Sequence, residues 1–238
     1  MRRLSTATIS SLLLLGALIP AVAAQEVPVC GPPGGELPAT IIGAGRILGT
    51  PGDDVIVGSP GPDVISGLDG NDIICGEGGN DELRGGRGND ELIGDELTSA
   101  PFLPSNGNND DTLSGGPGDD VVVGLGGDDR LGGGPGMDTI IGMGGVDTAV
   151  GGPDDDTIFG GPLDDDLAGG SGNDTVFGNF GSDTITGGPG DDFIDGDNPP
   201  PDPNIPVPDP LPFPPGTNVD LCAGGPGADT VQNCEGTP

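Results

Sequence analysis

The chain has 238 residues, including 51 Gly and 27 Pro, with aromatic residues at only 3% and no His, Tyr or Trp; such a composition excludes a conventional packed core rich in large side chains. Six Arg and no Lys stand against 39 Asp and Glu, for a net charge of −33, which makes nucleic acid and anionic membrane surfaces poor partners. The missing His, Tyr and Trp also remove zinc-protease motifs, Ser-His-Asp triads and most acid–base chemistry, so no enzymatic activity and no catalytic residue are expected.

At the N-terminus Met1, Arg2 and Arg3 precede a short apolar run from Leu12 to Ile19 and small residues from Ala21 to Ala24. That is the layout of a signal peptide over 1–24, cut after Ala23 or Ala24, and the run is too short and wrongly flanked for a membrane span. An anchor that stays uncut is the alternative. Cleavage leaves 4 Arg against 39 acids, a net of about −35, and implies a secreted, extracellular chain. Residues 25–48 read as an N-terminal segment and cap. Within it Thr40 to Leu48 is a degenerate copy of the unit that follows, with Gly45 where that unit carries Asp, so no metal is expected there.

From 49 to 232 the chain repeats every nine residues, beginning with Gly49 to Val57 and Gly58 to Ser66. Aspartate fills the sixth position at Asp54, Asp63, Asp72, Asp81, Asp90, Asp111, Asp120, Asp129, Asp138, Asp147, Asp156, Asp165, Asp174, Asp183, Asp192, Asp220 and Asp229. An unbroken series of that length is not produced by composition and marks a solenoid. The eighth position is apolar throughout, from Ile56 to Val231, while the seventh mixes Val, Thr, Glu, Arg and Asp. Residues seven to nine therefore form a short strand with its middle side chain inward, and residues one to six form a turn. Glycine at the first and fourth positions suits a backbone entering the left-handed region, with Leu163 the misfit.

Gly187 to Asp195 matches the nonapeptide G-G-x-G-x-D-x-U-x at every defined position, and in this the chain resembles the repeats-in-toxin (RTX), haemolysin-type calcium-binding proteins. The resemblance implies an all-β fold, a right-handed parallel β-roll or solenoid with two nonapeptides per turn. It implies further that the seventeen aspartates are Ca2+ ligands, paired with backbone carbonyls between turns two rungs apart. Alternate rungs form two columns whose gaps hold up to about fifteen ions. Independently of the family, the inward apolar ladder is too slight to offset the entropy of ordering the chain, and stacked carboxylates repel, so the fold needs a cation between them. Family members usually attach the repeats to a protease, lipase or toxin domain and carry a C-terminal secretion signal; neither a catalytic domain nor that export route is expected here.

Four cysteines allow three pairings; Cys30 with Cys75 and Cys222 with Cys234 ties down each end of the ladder, and free thiols are the alternative. Two segments break register, 94–105 and the Pro-rich 196–214, and residues 233–238 form a tail. Both interruptions precede even-numbered rungs and should leave from one edge, where Phe102, Leu103, Leu211 and Phe213 offer apolar side chains to a partner or stand in tolerated loops. The functional expectation is a calcium-binding structural or adhesive module whose partner is a cell surface, a matrix or a neutral glycan. The alternatives are a polysaccharide-binding module, which the acidic surface disfavours for acidic glycans, or a remnant of a larger RTX enzyme or toxin.

Overall fold

The computed structural model describes residues 29–30, 37–95, 109–196 and 220–234; residues 1–28, 31–36, 96–108, 197–219 and 235–238 lie outside them. Strands alternate between two parallel sheets as the chain advances one nonapeptide at a time. Odd rungs build a ten-stranded sheet running from Ile41–Ile42 and Val55–Ser59 through Ile73–Glu77, Glu91–Asp95, Val121–Gly126, Thr139–Gly144, Thr157–Pro162, Thr175–Phe180 and Phe193–Asp195 to Thr230–Gln232. Even rungs build a nine-stranded sheet from Arg46–Leu48 to Leu221–Ala223. Register couples residues eighteen apart, such as Val122 with Ile140 and Leu131 with Ala149. The fold is thus an all-β parallel solenoid with two nonapeptides per turn, as the family resemblance implies.

The core is a single file of eighth-position side chains. Ile56, Ile65, Ile74, Leu83, Leu92, Val122, Ile140 and Ile158 are wholly buried, and their counterparts up to Cys222 are nearly so. Parallel stacking places like side chains two rungs apart next to one another on each sheet, so the ladder interdigitates between the sheets as a thin dry seam. Val231, expected inward, is 37% exposed. Among the described residues it belongs to the last rung of its sheet, with no further strand on one side of it.

Two expectations about the turns need correction. Many strands outrun the predicted three residues: Val121–Gly126 continues into positions one to three of the next rung, where Leu125 pairs with Met143 and Gly126 with Gly144. The left-handed positions are the second and fourth rather than the first and fourth. Gly70 and Gly118 hold φ of 123° and 148° at the fourth, but Leu68, Glu77, Leu125, Met143 and Asn179 adopt φ of 74–92° at the second. Leu163 takes φ 91° at the fourth, 57% exposed. First-position glycines are absent from the left-handed set and are required for space, as shown below.

The cap expected over Thr40 to Leu48 spans both sheets. Ile41–Ile42 pairs with the strand holding Ile56, and Arg46–Leu48 pairs with the strand holding Ile65. Gly45 occupies the aspartate position in the ladder: its N–H donates to Asp63 Oδ1 and its carbonyl accepts from Val64. Outside the ten-stranded sheet, Val29–Cys30 pairs antiparallel with Leu37–Pro38. The disulfides join Cys30 to Cys75 and Cys222 to Cys234, the pairing that ties down each end. Cys30 packs with Val57, Cys75 and Ile93 in a small second cluster. All three are ninth-position residues of odd rungs, and the same outward row continues to Phe159 and Phe177, whose rings stack at 5.2 Å.

Candidate metal sites in the turns

The seventeen sixth-position aspartates fall into two files. Odd rungs bring together Asp54, Asp72, Asp90, Asp120, Asp138, Asp156, Asp174, Asp192 and Asp229, and even rungs bring together Asp63, Asp81, Asp111, Asp129, Asp147, Asp165, Asp183 and Asp220. All are buried except Asp229, which the last rung leaves half-covered. Along each file the two carboxylate oxygens have different tasks. One oxygen accepts the backbone N–H of the aspartate one turn earlier, as in Asp129 N–H to Asp147 Oδ1 at 2.9 Å and Asp147 N–H to Asp165 Oδ1 at 2.8 Å. The link survives both interruptions, since Asp81 donates to Asp111 Oδ1 at 2.7 Å and Asp183 to Asp220 Oδ1 at 2.8 Å.

The second oxygen lacks such a donor. Oδ2 of Asp72, Asp81, Asp90, Asp111, Asp120, Asp129, Asp138, Asp147, Asp156, Asp165, Asp174 and Asp192 is buried with no hydrogen-bond partner. A native fold leaves few buried polar atoms unsatisfied, and one recurring at the same position along a ladder calls for a ligand. Its surroundings fit a cation. A Cβ placed on Gly142 would overlap Asp147 Oδ2 and lie 2.7 Å from the carbonyl oxygen of Gly160; one on Gly94 would overlap Asp111 Oδ2 and lie 2.6 Å from the carbonyl of Gly124. A carboxylate oxygen and a backbone carbonyl of the next turn therefore converge over each such first-position glycine, which explains why glycine stands there. Among the described residues no three acidic or sulfur side chains gather closely enough to hold a metal by themselves, so any ion in these turns draws on carbonyls as well. Carboxylate and carbonyl oxygens are the donors that the hard ion Ca2+ takes.

The electrostatics agree. Burial pushes Asp111, Asp129 and Asp165 up to about 8, opposed by the backbone N–H each accepts and reinforced by neighbouring carboxylates of the same file. Burial likewise pushes Asp81, Asp120 and Asp156 up to about 7 and Asp72, Asp138 and Asp147 up to about 6. Without a cation these groups resist ionisation; a divalent ion beside them reverses the sign of their surroundings.

The first two rungs differ from the rest. Asp54 Oδ2 accepts from the N–H of Thr50 at 2.6 Å and its hydroxyl at 3.0 Å, and Asp63 Oδ2 accepts likewise from Ser59 at 2.6 and 2.9 Å. These carboxylates are already satisfied, and the second-position hydroxyls Thr50 and Ser59 were the sequence signal for it. The fifth position also carries an unforeseen ladder. Asn89 N–H donates to Asn71 Oδ1 at 2.9 Å, and Asp128 N–H to Asp110 Oδ1 at 3.0 Å. It runs along the exposed edge of the turns, where repeated Asn and Asp mark it in the sequence.

Both interruptions start later than the lost register suggests. Gly94 and Gly196 are first-position glycines for the rungs of Asp111 and Asp220, and Asp95 pairs with Glu77 in the ladder. Asn109, on the far side of the first interruption, donates to Asp95 Oδ1 at 2.6 Å and closes its neck. Phe102, Leu103, Leu211 and Phe213 lie outside the described residues, as does the signal peptide expected over 1–24.

A family model described as RTX calcium-binding nonapeptide repeat (4 copies) matches residues 48–83, 76–96, 105–140, 132–167 and 168–198. A comparison with curated proteins finds no match.

Proposed function

Because the chain belongs to the family of RTX calcium-binding nonapeptide repeats, we propose that it is a secreted protein whose sixth-position aspartates take up Ca2+ in the turns and whose fold depends on that uptake. The observation that carries this reading is the recurring buried Oδ2 that has no hydrogen-bond partner and faces a carbonyl of the next turn. Bound ions would supply the positive charge that lets the two files stay ionised while buried. The working sites are those from Asp72 to Asp192, and Asp54 and Asp63 are the weakest because Thr50 and Ser59 already satisfy them.

The role is structural or adhesive rather than catalytic: a calcium-stiffened rod presented outside the cell to a surface, a matrix or a neutral glycan. Two disulfides fit an oxidising, extracellular compartment, and the leader over 1–24 provides the export route. No helix among the described residues is long and apolar enough to cross a membrane. Calorimetric titration with CaCl2 and, separately, MgCl2 tests the ligand assignment. Ca2+, which accepts many oxygens in flexible geometry, should bind at many sites, and Mg2+, which demands octahedral geometry and keeps its water, should not replace it. Asp138→Asn should lower the calcium stoichiometry, and an unchanged stoichiometry in that variant would show that the file is not the ligand set.

A further inference from the structure

The repeat gives each calcium site a carboxylate from one rung and a carbonyl from the next rung of the same file, so the last rung of a file should have no site. The even file does not end that way. Over Gly196 a Cβ would overlap Asp220 Oδ2 and lie 2.6 Å from the carbonyl oxygen of Asn233. The same pair of oxygens meets at Gly94, where the carbonyl is that of Gly124 at 2.6 Å, and at Gly178, where it is that of Gly196 at 2.6 Å. Asn233 is not part of a complete rung. It follows the final strand Thr230–Gln232 directly and stands where the first residue of another rung would begin.

Several contacts hold this carbonyl in place. Asp195, a buried carboxylate at the end of the preceding odd rung, accepts Gln232 Nε2 at 2.8 Å and Asn233 Nδ2 at 2.6 Å. Gly196 N–H donates to the Gln232 carbonyl at 3.2 Å. Asn233 itself takes φ 54°, a left-handed conformation that Asn accepts more readily than most residues. The next residue, Cys234, is bonded to Cys222, the inward side chain of the rung that carries Asp220. The disulfide thus ties the carbonyl donor to the rung of its carboxylate, replacing the sheet ladder that does this work at internal sites.

We propose that Asp220 and the backbone carbonyl of Asn233 form an additional, terminal Ca2+ site built by the C-terminal cap, and that the Cys222–Cys234 disulfide holds it together. The inference rests on the calcium reading of the family and adds a site that the repeat arithmetic does not count. It also makes occupancy of one site depend on redox state.

The test counts bound ions by native mass spectrometry on the full chain in saturating Ca2+. Asp220→Asn should carry one ion fewer than the parent chain. The parent after mild reduction, and Cys234→Ser, should each also carry one fewer while circular dichroism shows the remaining roll intact. If Asp220→Asn keeps the full count, the terminal site does not exist. If Asp220→Asn loses an ion but reduction and Cys234→Ser do not, the role given to the disulfide is wrong. A parent chain that takes up no calcium overturns the family-level reading, and this one with it.

Discussion

Gly142→Ala separates the spatial requirement at the first position from a conformational one. Gly142 does not occupy the left-handed region, so Ala costs nothing in backbone torsion. Its Cβ, however, would overlap Asp147 Oδ2 and sit 2.7 Å from the Gly160 carbonyl oxygen. The carbonyl belongs to a sheet strand, and the carboxylate is tethered by the N–H of Asp129 at 2.9 Å, so neither yields freely. Overpacking of this kind costs about 1–3 kcal/mol. Loss of one ion adds about 2.7 kcal/mol if a site with Kd near 10⁻⁴ M is being read in 10 mM calcium. The variant should therefore lose roughly 4–6 kcal/mol in chemical unfolding at that calcium concentration. Gly132→Ala is the matched control, since the nearest atom to its Cβ would be the Leu113 carbonyl oxygen at 3.9 Å, and it should fall within about 0.5 kcal/mol of the parent. Equal stability of the two variants would refute the claim that the first-position glycine makes room for the metal ligands.

Acid should partly replace calcium. Carboxylates raised to about 6–8 in the metal-free fold bind protons more tightly folded than unfolded, so their contribution is full below the unfolded value near 3.8 and is lost as pH rises through 6 to 8. The calcium-free chain should gain β signal in circular dichroism near pH 4 and lose it by pH 8, and a flat profile would count against the burial of these groups. Leu163→Gly should stabilise the protein by about 1 kcal/mol, because an exposed leucine at φ 91° carries left-handed strain and little burial; thermal melts would reveal a loss instead if Leu163 has a packing role. Ile140→Ala, in the wholly buried file, should cost about 2–5 kcal/mol, while Val231→Ala at the open end should cost much less. Similar losses for the two would mean that the last rung is covered.

The period of nine made the solenoid and the two aspartate files legible because each rung repeats one local solution, and an error in any rung would have broken the series. The chain could not say by itself which glycine served which purpose. Gly142 and Gly145 look alike in sequence, yet the first clears space for oxygens of the next turn and the second supplies φ 152°. Sheet parity was equally hidden: Val57, Cys75, Ile93, Phe159 and Phe177 share the ninth position only on odd rungs, a period of eighteen that a nine-residue comparison averages away. Thr50 and Ser59 were readable as partners of Asp54 and Asp63, four residues on, but only once the carboxylates were known to bend back over their own turns. The interruptions misled because register was taken to be lost from their first residue, whereas Gly94, Asp95 and Gly196 still belong to the strands and turns of the roll.

On the proposed reading, two buried files of aspartate make this fold conditional on a divalent ion. Far-ultraviolet circular dichroism and small-angle scattering of the disulfide-intact chain at neutral pH, first in excess chelator and then through a calcium titration to 10 mM, measure it directly. An expanded chain with little β signal that condenses cooperatively into a β-rich rod is the outcome the geometry requires. A chain equally compact and equally β-rich with chelator present would contradict it.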